Sequence, residues 1–446
     1  MSWLRWGLTL LVMSMAACTR AAEVDASIVW RGATDIAVGG GEKGPWRQND
    51  SRYDYVDDPT VAIDEQGDVF LAWVDQARKD VFFQRHSAGR LQRAEPVNVS
   101  RNTSTFSWLP RIALAPDERQ QVFILWQEII FSGGSHGGDI LFARSTDGGA
   151  TFSEPLNLSN SIGGDGKGRI NRDVWHNGSL DIVAGAGGAI YTAWTEYEGT
   201  LWFARSTDGG ESFTRPERIA GAGNVSFPAR APTLALGADG AIYVAWTVGD
   251  DVSADIRIAK SENGGGSFSD ARVVARSRSY SDAPKLAVDA DGIVHLVYAE
   301  SSGGPFERYQ IRYTRSSDGA RTFDPPREIS RSTTNRATAG FPSLALDGTG
   351  NVYVLWELFR DHRRPRGLGF AVSRDRGQSF ARPVVVPDSI DPGGGTNGSH
   401  QGLLMRKLAV NGAGAIAIVN SSLEPGRRSR VWLIRGERLH ARGEAG

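Results

Sequence analysis

Cysteine occurs once in this chain of 446 residues, at Cys18, so no intramolecular disulfide can staple the fold. An excess of charge of one sign is missing too. Fifty Lys plus Arg stand against 51 Asp plus Glu, for a formal net charge of −1. With no basic tail or charge block beside that balance, there is no electrostatic case for a nucleic-acid partner. No apolar run is long enough to cross a bilayer as a permanent helix, and no linker or low-complexity stretch marks off a second domain. No cofactor is expected. Glycine, at 54 residues, and tryptophan, at 13, are abundant instead; turns use the first, and packing or sugar stacking uses the second.

The first 18 residues read as an export signal. Arg5 gives a positive start, Gly7 to Met15 an apolar run of signal length, and Met15, Ala16 and Ala17 lead to Cys18. The end of this run resembles a bacterial lipobox, with Met15 where Leu is more usual, which implies lipidation of Cys18. Thr19 after the cysteine resembles lipoproteins sent to the outer membrane. The expectation is a signal over 1–18, a tether over 19–26, and a monomeric protein held by lipid in the periplasm or at the cell surface. An ordinary cleaved signal with an incidental cysteine is the alternative.

Repetition organises the rest. Five copies of one turn recur as STDGGATF (145–152), STDGGESF (206–213), SENGGGSF (261–268), SSDGARTF (316–323) and SRDRGQSF (373–380). Their third residues Asp147, Asp208, Asn263, Asp318 and Asp375 are spaced 61, 55, 55 and 57 apart, a period that belongs to repeat architectures. Ser and Asp side chains accept backbone N–H groups in such a turn, Gly supplies positive φ, and Phe returns into packed sheet. A second repeat, a strand, a turn and a strand ending in an aromatic, appears seven times, from PTVAIDEQGDVFLAW (59–73) to RKLAVNGAGAIAIVN (406–420). Seven four-stranded units arranged radially make an all-β, seven-bladed propeller over 27–440, with six blades as the alternative and 441–446 as a tail. SIVWRGATDIAV (27–38) lies outside the seven units and is expected to supply the outer strand of the last blade.

The turn motif is that of the Asp box, or BNR repeat, so the chain resembles the sialidase-like β-propellers. This resemblance implies an exported protein that binds, and as a glycoside hydrolase cleaves, an extracellular acidic glycan. A propeller that only binds a glycan or protein and a uronate polysaccharide lyase are the alternatives. The five turn residues cap turns joining third to fourth strands and lie on the rim away from the ligand face.

That face is read from other positions. Asp75, Glu128, Glu196, Glu300 and Glu357 follow the aromatic of the second strand. Arg111, Arg230, Lys285, Arg406 and Lys407 stand where inner strands begin, with Arg172 in a long loop. Cations there can clamp an anion, and paired carboxylates can do acid and base work; salt bridges along a solvated rim are the bland reading. Sialidases resemble one another in an arginine triad, a Tyr nucleophile with its Glu, and an Asp acid. Here Arg111, Arg230 and Arg406 stand for the triad and Tyr280 with Asp282 for nucleophile and acid, but no Arg-Ile-Pro occurs, and Thr60 holds the place of its arginine. His176 and His400, with His136, give the lyase reading its base; they can also be plain loop residues. Tyr53, Tyr55, Phe106, Trp108, Trp175, Tyr197 and Phe359 are candidates for stacking on sugars, whereas Trp73, Trp126, Trp194, Trp246 and Trp356 recur at one repeat position and read as packing.

Overall fold

A computed structural model describes residues 28–439, apart from 46, 48–49, 89–94, 102–104, 117–119, 133–134, 160–178, 197–198, 222–227, 250–253, 276–279, 305–308, 332–337, 360–363 and 397–404, and without the side chains of 129–132, 135–138 and 275. Seven four-stranded antiparallel sheets form a ring. They are blade 1 (56–98), blade 2 (106–157), blade 3 (180–220), blade 4 (229–275), blade 5 (280–328), blade 6 (338–385) and blade 7 (408–438). In blade 7 the order is the inner strand Leu408–Val410, then Ala415–Glu424, Arg428–Arg438 and, outermost, Ile28–Gly39 from the other end of the chain. The ring is thus closed by the N-terminal strand, as its surplus in the repeat count required. Among the described residues no helix is long and apolar enough to cross a membrane.

Alternation explains the core. Each second strand is a continuous apolar run buried on both faces between neighbouring blades, and Trp126, Trp194, Trp246 and Trp356 fill the gaps between sheets. The clusters that result cross blade boundaries, as where Phe123 and Leu125 of blade 2 pack with Ile182 and Trp194 of blade 3.

Two devices set the spacing between blades. In five inner strands the residue before a proline has a left-handed φ: Asp58 (51°), Leu109 (54°), Ala231 (49°), Ala283 (53°) and Phe341 (51°). A non-glycine residue before proline is strained there, and the pairing register shifts at each of the five. The bulge turns the residue after the proline toward the next blade or the ring centre: Thr233 accepts the Leu286 N–H at 3.4 Å and Ser343 the Lys407 N–H at 3.2 Å. In blade 3, which pairs without a bulge, Asp181 does the same for the Leu234 N–H at 2.9 Å.

The second device is the repeated turn. In the copy at 206–213, Ser206 Oγ donates to Asp208 Oδ1 (2.6 Å) and accepts from the Gly210 N–H (2.9 Å), while Asp208 also accepts from Ser212 N–H and Oγ (3.0 and 2.6 Å). The other four copies close in the same way. These hydrogen bonds hold the Asp208 and Asp318 carboxyls well below the usual carboxylate range. Each turn sits on the third strand of the preceding blade: Phe152 packs edge-on against Phe83, Phe213 against Phe142, Phe268 against Phe203 and Phe380 against Tyr313.

Candidate functional site

All seven inner strands line one central cavity of about 380 Å³, from Val61 in blade 1 round to Val410 in blade 7. Its wall is apolar toward the rim of the repeated turns and charged toward the other end. There three cations and one carboxylate meet. Arg111 follows the bulge of blade 2 and is only 2% exposed. Its Nη1 donates to the carbonyls of Leu109 (3.4 Å) and Pro110 (3.1 Å) and touches Met405 Sδ at 2.6 Å. Arg406, two residues before the inner strand of blade 7, donates from Nη2 to Asp181 Oδ1 at 2.7 Å. Lys285 holds the place after the bulge in blade 5 and lines the cavity.

The energetics of this group follow from its count. Burial pulls the Lys285 ammonium down to about 7; attraction to Asp181 offsets part of that, and repulsion from Arg111 and Arg406 adds to it. Burial likewise pulls Arg111 down to about 10, with Asp181 and Asp58 acting against that and Arg406 with it. Asp181 attracts all three cations, of which Arg111 is buried and Lys285 and Arg406 are half-buried, and the mutual repulsion of the three gives a field that favours an anion.

The other sequence candidates fall into separate places. Arg230, Tyr280 and Asp282 are together, at the junction of blades 4 and 5. Arg230 Nη2 donates to the Tyr280 hydroxyl at 2.5 Å, its Nε to Asp282 Oδ1 at 3.3 Å, and its Nη1 to the Gly249 carbonyl. Thr247 also donates to Asp282 Oδ1, at 3.0 Å, and the guanidinium lies 5.1 Å from the Tyr280 ring centre. Tyr280 is 5% exposed, and burial, with the Asp282 charge behind it, pushes its phenol well above the usual range. The three residues therefore brace two blades, and the phenol is held neutral.

The carboxylates after the second-strand aromatics do not share a space. Glu128 is 2% exposed and accepts from Thr105 Oγ1, Ser107 Oγ (2.7 Å) and Trp126 Nε1 (3.2 Å); burial outweighs those bonds and pushes it up to about 7. Glu357 is buried against the Lys407 ammonium, which also donates to Asn420 at 3.1 Å. Glu300 pairs with Arg312 of its own blade at 2.6 Å and Asp75 with Arg78 at 3.7 Å. Glu196 is half-buried in a turn that its N–H closes on the Thr200 carbonyl at 2.9 Å. A continuous ring of mixed charge is thus replaced by paired groups between and within blades, because each second strand ends inside the blade stack. Tyr55, Phe106, Trp108 and Phe359 are buried as well, so they pack the mouth rather than offer faces to a sugar. His176, His400, Arg172, Trp175, Tyr197 and Cys18, and the side chain of His136, lie outside the described residues. Among the described residues no group of three or more His, Cys, Asp or Glu gathers as a metal site.

One group was not singled out from the sequence. Asp57 and Asp58 stand at the mouth end of the inner strand of blade 1, Asp58 at 0% exposure. Neither Asp58 oxygen has a hydrogen-bond partner, and nor do Asp57 Oδ2 and the Tyr55 hydroxyl; the Leu109 N–H faces Asp58 without closing a bond. Burial and the Asp57 charge push Asp58 up to about 8, against the pull of Leu109, Arg111 and Lys43. The signal was present in the repeat. Before the bulge proline, blade 1 reads Asp-Asp where the others read Trp-Leu, Arg-Ala, Asp-Ala and Gly-Phe.

No protein-family model matches the chain, and no curated protein matches it. Among solved structures it is similar to an ulvan lyase of a new polysaccharide lyase family bound to GlcA(1-4)Rha3S (12% identity, TM-score 0.55, covering 91% of this chain and 96% of that one). It is also similar to an α-L-arabinanase of Penicillium chrysogenum complexed with arabinobiose (13%, 0.50, 73% and 92%). A third is a protein of unknown function from Dyadobacter fermentans (14%, 0.50, 93% and 100%). At these identities the likeness is one of fold.

Proposed function

We propose that this propeller recognises an acidic glycan at the charged end of its central cavity, with a carboxylate or sulfate of the sugar chain seated at Lys285 and Arg406 and the buried Arg111 charge behind them. The convergence of those three cations on the single carboxylate of Asp181 carries the reading. An entering anion relieves their repulsion and raises Lys285, so binding takes up a proton near neutral pH and strengthens as pH falls through about 7. The lyase and arabinanase of like fold, one holding a glucuronate chain and one a neutral arabinose pair, support the choice of a glycan. Export, with a lipid on Cys18, belongs to the same proposal: Cys18→Ser should release the protein from the membrane fraction.

Recognition is favoured over hydrolysis because the carboxyls that could donate a proton, Asp58 and Glu128, have no open approach. One observation supports hydrolysis as a second reading: Asp58 holds its proton at neutral pH and lies within the field of Arg111. The test is binding of uronate and sulfated oligosaccharides to the wild type and to Arg406→Ala. Loss of a charge-assisted contact worth about 1.5–3 kcal/mol should weaken binding roughly 10- to 100-fold, and unchanged affinity would refute the site. Following reducing ends and the ultraviolet absorbance of unsaturated products in the same mixtures separates hydrolysis and elimination from binding alone.

A further inference from the structure

Junctions between blades on the rim of the repeated turns follow one plan, and the junction of blades 4 and 5 departs from it three times. Elsewhere an aromatic of the third strand (Phe83, Phe142, Phe203, Tyr313) meets a glycine of the next turn so closely that a Cβ there would lie 1.6–2.7 Å from the ring or its hydroxyl. At blades 4 and 5 the aromatic is Ile258 and the glycine is Ala320. At three of the other junctions a third-strand arginine donates across to the next turn: Arg144 to the Gly209 carbonyl (3.2 Å), Arg205 to Gly264 (2.5 Å), Arg315 to Arg376 (2.8 Å). Here Lys260 turns back to its own Glu262 at 2.8 Å. On the near side of the same junction, blade 4's own turn has Asn263 in place of the acid, which keeps the turn through Ser267 but carries no charge.

Where these departures coincide, a cleft of about 720 Å³ opens, floored by Ile258, Ala320 and Phe268 and walled by Asn263, Ser267 and Ser269. Lys260, Arg272 and Arg321 line it with Glu262 and Asp318. Asp318 spends both oxygens on Ser316, Thr322 and the Arg321 N–H, and Glu262 takes Lys260, so the cleft's remaining charge is the exposed Arg272 and Arg321. We propose that this cleft is a second saccharide site, distinct from the central cavity and on the opposite rim, for an acidic sugar chain. The half-buried Phe268 suits a ring face, the amide and hydroxyls of the wall suit sugar hydroxyls, and the two guanidinium groups suit carboxylate or sulfate.

The variant that tests this restores the plan of the other junctions, Ile258→Phe with Ala320→Gly. It rebuilds the cleft floor with a ring-on-glycine pair already used four times in this fold. Binding of a chondroitin sulfate hexasaccharide is measured by stoichiometry on the wild type, on the restored junction, on Arg406→Ala, and on Arg272→Glu with Arg321→Glu, whose exposed side chains give up one surface hydrogen bond, from Arg272 to the Arg321 carbonyl. The wild type should bind two molecules per chain. The restored junction and the charge-reversed pair should each bind one, and Arg406→Ala should keep the one that they lose. Wild-type stoichiometry in both cleft variants would overturn the site, as would complete loss of binding in Arg406→Ala or no binding to the wild type.

Discussion

The turn-on-ring contacts predict a specific epistasis between Gly210 and Phe142. Gly210 has φ 82°, and a Cβ built there lies 2.7 Å from Phe142 Cε1 and Cζ and 3.1 Å from Ile190 Cδ1. Left-handed backbone costs an alanine about 1 kcal/mol, and overpacking a core contact costs about 1–3 kcal/mol. Gly210→Ala should therefore destabilise by roughly 2–4 kcal/mol. The protein also carries the compensated pair: Ala320 stands at φ 66° over Ile258. With Phe142→Ile in place, the overpacking term should vanish and leave only the backbone term. Urea unfolding of the two single variants and the double variant then gives a favourable coupling of about 1–3 kcal/mol. Additivity within about 0.5 kcal/mol would refute the reasoning, since the steric account requires the two positions to interact.

Asp58 and Glu128 carry folded values above their unfolded ones, about 8 against 3.8 and about 7 against 4.5. The folded state thus binds more protons than the unfolded one between pH 4 and 8, and stability should fall as pH rises through that window. Asp58→Leu, which copies Leu109 of blade 2, should remove much of that slope and stabilise by about 4 kcal/mol at pH 7; a pH–stability curve parallel to that of the wild type would contradict the burial of an ionisable Asp58. Lys407→Met should cost about 3–5 kcal/mol because it leaves Glu357 buried without its cation, and Glu357→Gln added to it should recover part of the loss; equal melting of the single and double variants would exclude the pair as the cause. Deleting 28–39 strips blade 7 of its outer strand and should expose Arg428–Arg438 as a free edge, read as concentration-dependent aggregation; a deletion mutant that stays monomeric and melts like the full chain would deny the closure.

Blade number and ring closure were legible because the fold repeats its local chemistry. The Ser–Asp–Gly–Phe order of the turns maps directly onto hydrogen bonds and onto a ring contact with the preceding blade. The surplus strand at 28–39 was found by counting strands per unit. The placement of side chains was legible only where the repeat fixes direction. Arg111, Lys285 and Arg406 stand at or beside the place where each inner strand starts, and that register sends them to the channel. Glu128 and Glu357 also recur at one place, but whether a side chain at the end of a second strand faces solvent or the next blade depends on packing between sheets, which no single unit encodes. The bulge that re-aims the inner strand was likewise hidden, since proline discourages a helical or left-handed residue before it and only the stacking of blades imposes one.

A repeat fold supplies its own control sequences, and this changes what a departure means. Leucine, alanine and phenylalanine serve before the bulge proline in blades 2, 4, 5 and 6, so the fold does not require a carboxylate at 58; yet Asp58 is there, strained at φ 51°, fully buried and without a hydrogen bond. Four aromatic–glycine contacts likewise show that the junction of blades 4 and 5 could have been filled. At 58 the sister blades demonstrate a cheaper solution, since an apolar side chain takes the same φ without burying an unsatisfied carboxyl. By the same comparison the Arg230–Tyr280–Asp282 group has no unmet valence. Every polar atom in it finds a partner within two adjacent blades, and its chemistry is that of a brace.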